Sequence, residues 1–125
     1  LFNRQQLVFS TVTEDLNGKA QYLAISPNYI HSLDAAHMFM TISRMLDTGM
    51  SAFSFVHDSY GTYAPDIPVM HTLLREEFIK IHKENQLEKL KEEIEKRYGI
   101  YLPKVPAQEE GFDLEEITKS EYFFA

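Results

Sequence analysis

The chain has 125 residues, of which 44% are hydrophobic and 13% aromatic, and its formal net charge is −7. This composition supports a packed core and argues against a disordered chain. The negative net charge argues against this chain alone binding nucleic acid through overall electrostatic attraction. The absence of Cys excludes a disulfide framework and a thiolate metal site. A transmembrane helix requires an apolar run of about 18 residues, and no run in this sequence approaches that length. A start at Leu1, with no Met and no signal peptide, predicts a segment of a longer chain.

The first predicted element is a β-hairpin within residues 1–25. Asn17-Gly18 is a type I′ turn signal between two apolar arms. Ser26-Pro27-Asn28 is predicted to end the second strand. Pairing across the turn would place on one face Val8, Val12, Leu23 and Ile25.

A helix is predicted next, from a cap at Ser32 to about Asp47, with Gly49 just past its end. His37 and Arg44 lie off its apolar stripe, which packing explains better than a ligand site. The stripe consists of Ala35, Met38, Phe39, Ile42, Met45 and Leu46.

The central stretch is predicted as strand, tight turn and strand, with apolar runs at 53–56 and 60–63 and Asp58 in the turn. Two interpretations of Asp58 remain open from the residues alone. Its carboxylate could meet a cation at the end of the sheet, or it could accept backbone hydrogen bonds in an ordinary turn.

Three more helices are predicted after this hairpin. The first spans 67–83, with Asp66 as its cap and a buried stripe. The second spans 86–98, ends at Gly99, and should turn its apolar face inward. A short last helix begins at the capping-box-like residues 113–116. The two stripes are Ile67, Met70, Leu74, Phe78 and Ile81, and then Leu87, Leu90, Ile94 and Tyr98.

The predicted fold class is therefore α+β. An antiparallel β-hairpin at 53–63 should pack on the helices at 33–47 and 67–83, because the apolar period changes from about 3.6 to 2 and back.

Three sequence blocks resemble the end of single-subunit RNA polymerases of the phage and mitochondrial type. The first is Pro27-Asn28-Tyr29-Ile30-His31-Ser32-Leu33-Asp34, ahead of a helix. The second is the hairpin His57-Asp58-Ser59, which is similar to motif C of the polymerase palm; Ser59 favours RNA polymerases, because related DNA polymerases usually carry His-Asp-Glu. The third is the C-terminal segment, with Phe112-Asp113-Leu114 followed by Ser120 to Ala125. The blocks occur in the family's order with similar spacing.

The resemblance implies a site and a larger fold. Residues 26–125 would be part of a polymerase palm and fingers structure, ending in a C-terminal foot at Phe124 and Ala125. Asp58 would be a catalytic carboxylate that binds Mg²⁺. Near the primer end would lie His57, His31 and Tyr29. The implied partners are the DNA template, the RNA product, NTPs and the remainder of the polymerase chain, with no membrane.

One departure from the family pattern limits what this chain could do alone. The family's other metal aspartate, and the Lys and Tyr of its fingers helix, lie far upstream and have no counterpart here. Asp34, Asp47 and Asp66 are better explained as cap and helix-end residues. Because one carboxylate cannot build a two-metal site, we expect the isolated segment to be inactive.

Two other functions remain open beside the polymerase segment. One is a small α+β protein-interaction module without chemistry, which the acidic charge and the helix at 86–98 would suit. The other is a decayed prophage remnant that keeps the fold without the activity. The resemblance also leaves two settings open, the cytoplasm of a bacterial host and the mitochondrion.

Overall fold

The computed structural model describes residues 15–107 and 111–123, and this part of the chain combines helices with one small sheet. The predicted α+β class is confirmed. The elements run in the order α1 Gly18–Asp47, β1 Phe53–Val56, β2 Ser59–Thr62, a 3-10 helix at Ala64–Asp66, α2 Ile67–Lys83, α3 Gln86–Tyr98 and a second 3-10 helix at Leu114–Lys119.

Helix α1 begins much earlier than predicted, so the N-terminal hairpin is wrong where the structure describes it. The side chain of Asn17 accepts a hydrogen bond from the backbone N–H of Ala20 at 3.0 Å, which is the geometry of a helix N-cap and not of a hairpin turn. The other predicted arm lies in residues 1–14, outside the described residues.

The predicted break at residues 26–28 is also inside α1. Pro27 lies within the helix, which continues at the loss of one backbone hydrogen bond. Ser32 therefore does not begin a helix; its hydroxyl donates to the carbonyl of Tyr29 at 2.7 Å within the same helix.

In the part of the chain that the structure describes, no helix is both long and apolar enough to cross a membrane.

The buried face of α1 differs from the predicted apolar stripe. Its buried residues are His37, Thr41 and Met45, whereas Phe39 is 65% exposed and Leu46 55% exposed. Apolar residues lie around much of this helix, and the contact with α2 selects the face that is buried. His37, which lies off the predicted stripe, is thus part of the core.

The core lies where α1, the hairpin and α2 meet. One buried cluster contains Met45, Met50, Met70, Leu73 and Leu74. Hairpin side chains pack against it, which confirms the predicted packing of the hairpin on these two helices. The partly buried residues on this cluster are Phe53, Phe55, Tyr60 and Phe123.

The central hairpin has the predicted form. Strands β1 and β2 are antiparallel, with Phe53 opposite Thr62 and Val56 opposite Ser59. This register leaves His57 and Asp58 as the two residues of the turn, so the prediction of Asp58 in the turn is confirmed.

Ion pairs and hydrogen bonds tie α2 to its neighbours. Arg44 of α1 contacts Glu76 at 3.2 Å and Glu77 at 3.3 Å. The guanidinium of Arg75 donates to the carbonyls of Ile117 at 3.2 Å and Ser120 at 3.0 Å. These bonds hold the C-terminal segment, and with it Phe123, against α2.

Helices α2 and α3 have the predicted bounds but different surroundings. Asp66 occupies the N-cap position of α2 without a side-chain capping hydrogen bond. Gly99 ends α3 at a φ of 64°, where a residue without Cβ is favoured. The predicted inward face of α3 is wrong, because Leu87 is 48% exposed and Tyr98 67% exposed.

Candidate functional site

The tip of the hairpin places an exposed carboxylate at the end of the two-stranded sheet. Asp58 is exposed, and the residue before it, His57, has a φ of 55°. That left-handed conformation is uncommon for a residue other than Gly, although His adopts it more readily than most. Strained backbone of this kind occurs preferentially at functional sites.

A cleft of about 510 Å³ lies between the middle of α1 and this hairpin. The structure brings two of the predicted residues, His31 and His57, to its walls. From the hairpin, the end of β1 contributes Phe55 and the turn contributes His57. The complete lining is His31, Asp34, Ala35, Met38, Phe55 and His57.

Asp34 is a residue of this cleft that the sequence interpretation missed. The sequence predicts a capping role for Asp34, but α1 begins at Gly18 and places Asp34 in mid-helix, one turn from His31. The spacing of three residues between His31 and Asp34 could have indicated a shared face, had the helix start been predicted correctly.

Negative charge accumulates around Tyr60, which follows the turn in β2. Burial, followed by the charges of Asp34 and Asp58, raises the pKa of Tyr60 to about 12. Both carboxylates thus act on the same phenol from the helix side and the turn side. The hydroxyl of Tyr60 keeps its proton at neutral pH and can donate a hydrogen bond.

Asp58 meets one of the requirements of a magnesium site. Mg²⁺ prefers hard oxygen ligands and is typically bound through one or two carboxylates together with phosphates and water. Among the described residues, no group of three His, Asp or Glu side chains is close enough to hold a metal ion. Asp58 fits as one ligand, and further protein ligands would have to come from elsewhere.

The remaining predicted site residues lie apart from the cleft lining or outside the described part. Tyr29 lies in α1 and is half-buried, and burial raises the pKa of its phenol. Phe124 and Ala125 are outside the described residues. Their neighbour Phe123 packs against Phe78 with ring centroids 5.2 Å apart.

Comparison with known proteins points to a class of nucleic acid polymerases. Residues 2–110 match the family of DNA-dependent RNA polymerases. The chain therefore belongs to this family, and the resemblance found in the three sequence blocks is confirmed.

Curated relatives agree with the family match. Over 96% of its length, the chain is 40% identical to DNA-directed RNA polymerase 1, mitochondrial, of Arabidopsis thaliana, and spans 12% of that protein. It is 37% identical to the mitochondrial enzyme of Schizosaccharomyces pombe over 84% of the chain and 11% of the relative. It is 38% identical over 96% of its length to DNA-directed RNA polymerase 1A of Nicotiana tabacum, of which it spans 77%.

Proposed function

We propose that this chain is the palm segment, motif C included, of a DNA-directed RNA polymerase that adds nucleotides from NTPs to an RNA 3′ end on a DNA template. The observation that carries the proposal is the exposed Asp58 at the tip of a His-Asp-Ser hairpin in a member of this family. The strained φ of His57 supports it, since the surrounding structure must hold the turn in that conformation.

Asp58 is proposed to supply one carboxylate to a two-metal site. Mg²⁺ bound there would activate the 3′-hydroxyl and stabilise the leaving pyrophosphate. The chain spans about 12% of the Arabidopsis relative, so the second carboxylate is proposed to come from the remainder of the polymerase. On this proposal the segment alone is inactive and binds Mg²⁺ weakly.

The cleft beside the hairpin is proposed to receive the primer end. His31 and His57 line it, and both ring nitrogens of His can exchange hydrogen bonds with a nucleic acid. Tyr29, two residues before His31, is proposed to lie near the newest base pair. The foot at Phe124 and Ala125 is proposed to pack near the site, supported by Phe123 on the core that also carries the hairpin.

Substitution of Asp58 in the full-length polymerase tests the proposal. Asp58→Asn keeps the size of the side chain and removes the charge that a metal ion requires. Metal stabilisation of the transition state is worth several kcal/mol, so nucleotide addition should fall by at least about a thousandfold. The measurement is runoff transcription beside a DNA-binding assay, in which binding should be nearly unchanged.

The matched control is Ser59→Ala at the neighbouring position. It removes a hydroxyl and no charge, so its effect on transcription should be far smaller. If the folded Asp58→Asn polymerase transcribes within about tenfold of the parent, Asp58 is an ordinary turn residue and the proposed metal site is wrong.

A further inference from the structure

A buried polar network joins the hairpin to both helices beneath it. At its centre is His37, which is 2% exposed. Its Nε2 lies 2.8 Å from the carbonyl oxygen of Leu74 in α2, and its Nδ1 lies 3.3 Å from the hydroxyl of Tyr60 in β2. One side chain of α1 therefore contacts both of the other elements that form the core.

The partners of His37 determine which ring nitrogen carries the proton. A carbonyl oxygen can only accept, so Nε2 must donate to Leu74. In the neutral ring the lone pair of Nδ1 then accepts a hydrogen bond from the hydroxyl of Tyr60. Burial lowers the pKa of His37, which is consistent with a neutral ring.

The surroundings of the ring also restrict its orientation. Phe78 meets it edge-on, with centroids 5.6 Å apart and planes at 88°. Tyr60 approaches at 6.1 Å and 66°, and Phe55 packs edge-on against Tyr60 at 5.2 Å. The ring contacts and the two hydrogen bonds thus link β2 to both α1 and α2.

Tyr60 lies in β2, two residues after Asp58 of the turn, so a shift of β2 would move the turn. We infer that His37 and Tyr60 are positioning residues, which hold the hairpin so that the carboxylate of Asp58 meets its metal ion. This inference rests on the proposed role of Asp58 and extends it to residues that would touch neither metal nor nucleotide. A displacement of about 1 Å at a reacting group can lower a rate by about a hundredfold.

Two substitutions break the same hydrogen bond from opposite ends. Tyr60→Phe removes the donor and keeps the ring. His37→Gln keeps an amide N–H that can donate toward Leu74 and removes Nδ1, the acceptor of the hydrogen bond from Tyr60. If the bond positions Asp58, the double variant should be no worse than either single variant. Tyr63→Phe removes the hydroxyl of an exposed tyrosine just after β2 and serves as the matched control.

The measurements are made on the full-length polymerase bound to template and primer. Titration with Mn²⁺ by electron paramagnetic resonance gives metal affinity without turnover, and single-nucleotide addition gives kcat and KM. We expect Tyr60→Phe and His37→Gln each to weaken Mn²⁺ binding by about tenfold, and to lower kcat more than they raise the KM for NTP. Tyr63→Phe should match the parent.

The background of Asp58→Asn separates positioning from general stability. In that background Tyr60→Phe should have no further effect on Mn²⁺ affinity, because the carboxylate it positions is gone. If Tyr60→Phe lowers only the melting temperature, with Mn²⁺ affinity and kcat unchanged, the network is structural and the inference is overturned. If Asp58→Asn itself leaves Mn²⁺ affinity unchanged, the proposed function fails as well, and that result is visible in the single variant.

Discussion

Helices α2 and α3 look alike as sequences and differ in what they contact. Helix α2 buries an apolar face against α1, the hairpin and the C-terminal segment, and its buried residues are Met70, Leu73, Leu74, Glu77, Ile79 and Ile81. Helix α3 has a regular apolar stripe and good caps, with Asn85 accepting from the backbone of Glu88 at 3.1 Å. Yet none of the residues of α3 is buried.

The difference shows that an amphipathic pattern specifies which face of a helix is apolar, and not what covers it. Exposed apolar faces of this kind usually mark contact surfaces. In a chain that spans about 12% of its Arabidopsis relative, the remainder of a polymerase is one source of such contacts, and a separate protein partner is the alternative.

The largest expected effect is that of a truncation in the core. Leu74 is 3% exposed, whereas Leu90 of α3 is 36% exposed. Leu74→Ala should lower the free energy of unfolding of this chain by about 2–5 kcal/mol, because it leaves a cavity. Leu90→Ala should lower it by less than about 1 kcal/mol. Urea denaturation of both variants provides the measurement, and equal losses would show that α3 is packed as tightly as α2.

Loss of a buried carboxylate should have the next largest effect. The side chain of Glu77 is 4% exposed and contacts Arg44 at 3.3 Å and Lys80 at 3.5 Å. Glu77→Gln should lower the free energy of unfolding by about 1–3 kcal/mol, since charge-assisted hydrogen bonds are lost. The control is Glu93→Gln in α3, which breaks an exposed pair with Arg97 and should cost clearly less. A Glu77→Gln chain as stable as the control would mean that α1 and α2 associate without these ion pairs.

The stability of the core around α2 should depend on pH through His37. Burial, the largest cause, lowers its pKa; the backbone of Leu74 and the carboxylates of Asp34 and Glu77 act in the opposite direction, and His82 acts with burial. The unfolded chain then binds the proton more readily than the folded chain. The contribution of neutral His37 to the free energy of unfolding is therefore complete above the unfolded pKa of about 6.5. It should decrease as the pH falls from there toward the folded pKa.

Thermal unfolding between pH 5 and pH 8 measures this dependence. His37→Gln provides the comparison, because it removes the titrating group and keeps a donor toward Leu74. The variant should lose less stability than the parent on acidification. Parallel pH profiles would indicate that His37 titrates alike in the folded and unfolded chain.

The smallest effect is expected at Thr41. Its side chain is fully buried among the buried residues of α1, with His37 and Met45, and within the described residues its hydroxyl has no hydrogen-bond partner. Thr41→Val has the same shape without the unsatisfied group, so stability should be unchanged or higher by up to about 1 kcal/mol. The control is Thr118→Val, because the hydroxyl of Thr118 donates to the backbone carbonyl of Glu115 at 2.7 Å. This substitution should not raise the stability. Destabilisation by Thr41→Val would reveal a polar contact of that hydroxyl.

Sequence patterns alone determined the local features of this protein. The hairpin, its turn at Asp58, and the bounds of α2 and α3 were predicted because each depends on residues close together in the chain, such as strand formers around a turn or Gly99 after a helix. The family was recognised for a similar reason, since its motifs are short and contiguous. The roles of Asp58 and the other site residues remain proposals.

Only the tertiary structure decided which residues meet. Asn17 caps a helix instead of forming the predicted hairpin turn. Asn-Gly is compatible with both structures, and the residues that follow decide between them. Asp34 lines the cleft because α1 extends past it. His37 is buried at the centre of a polar network because α2 and β2 supply a carbonyl and a hydroxyl from 37 and 23 residues away. Burial of a polar ring is favourable only when such distant partners satisfy it, and no periodicity within α1 encodes them.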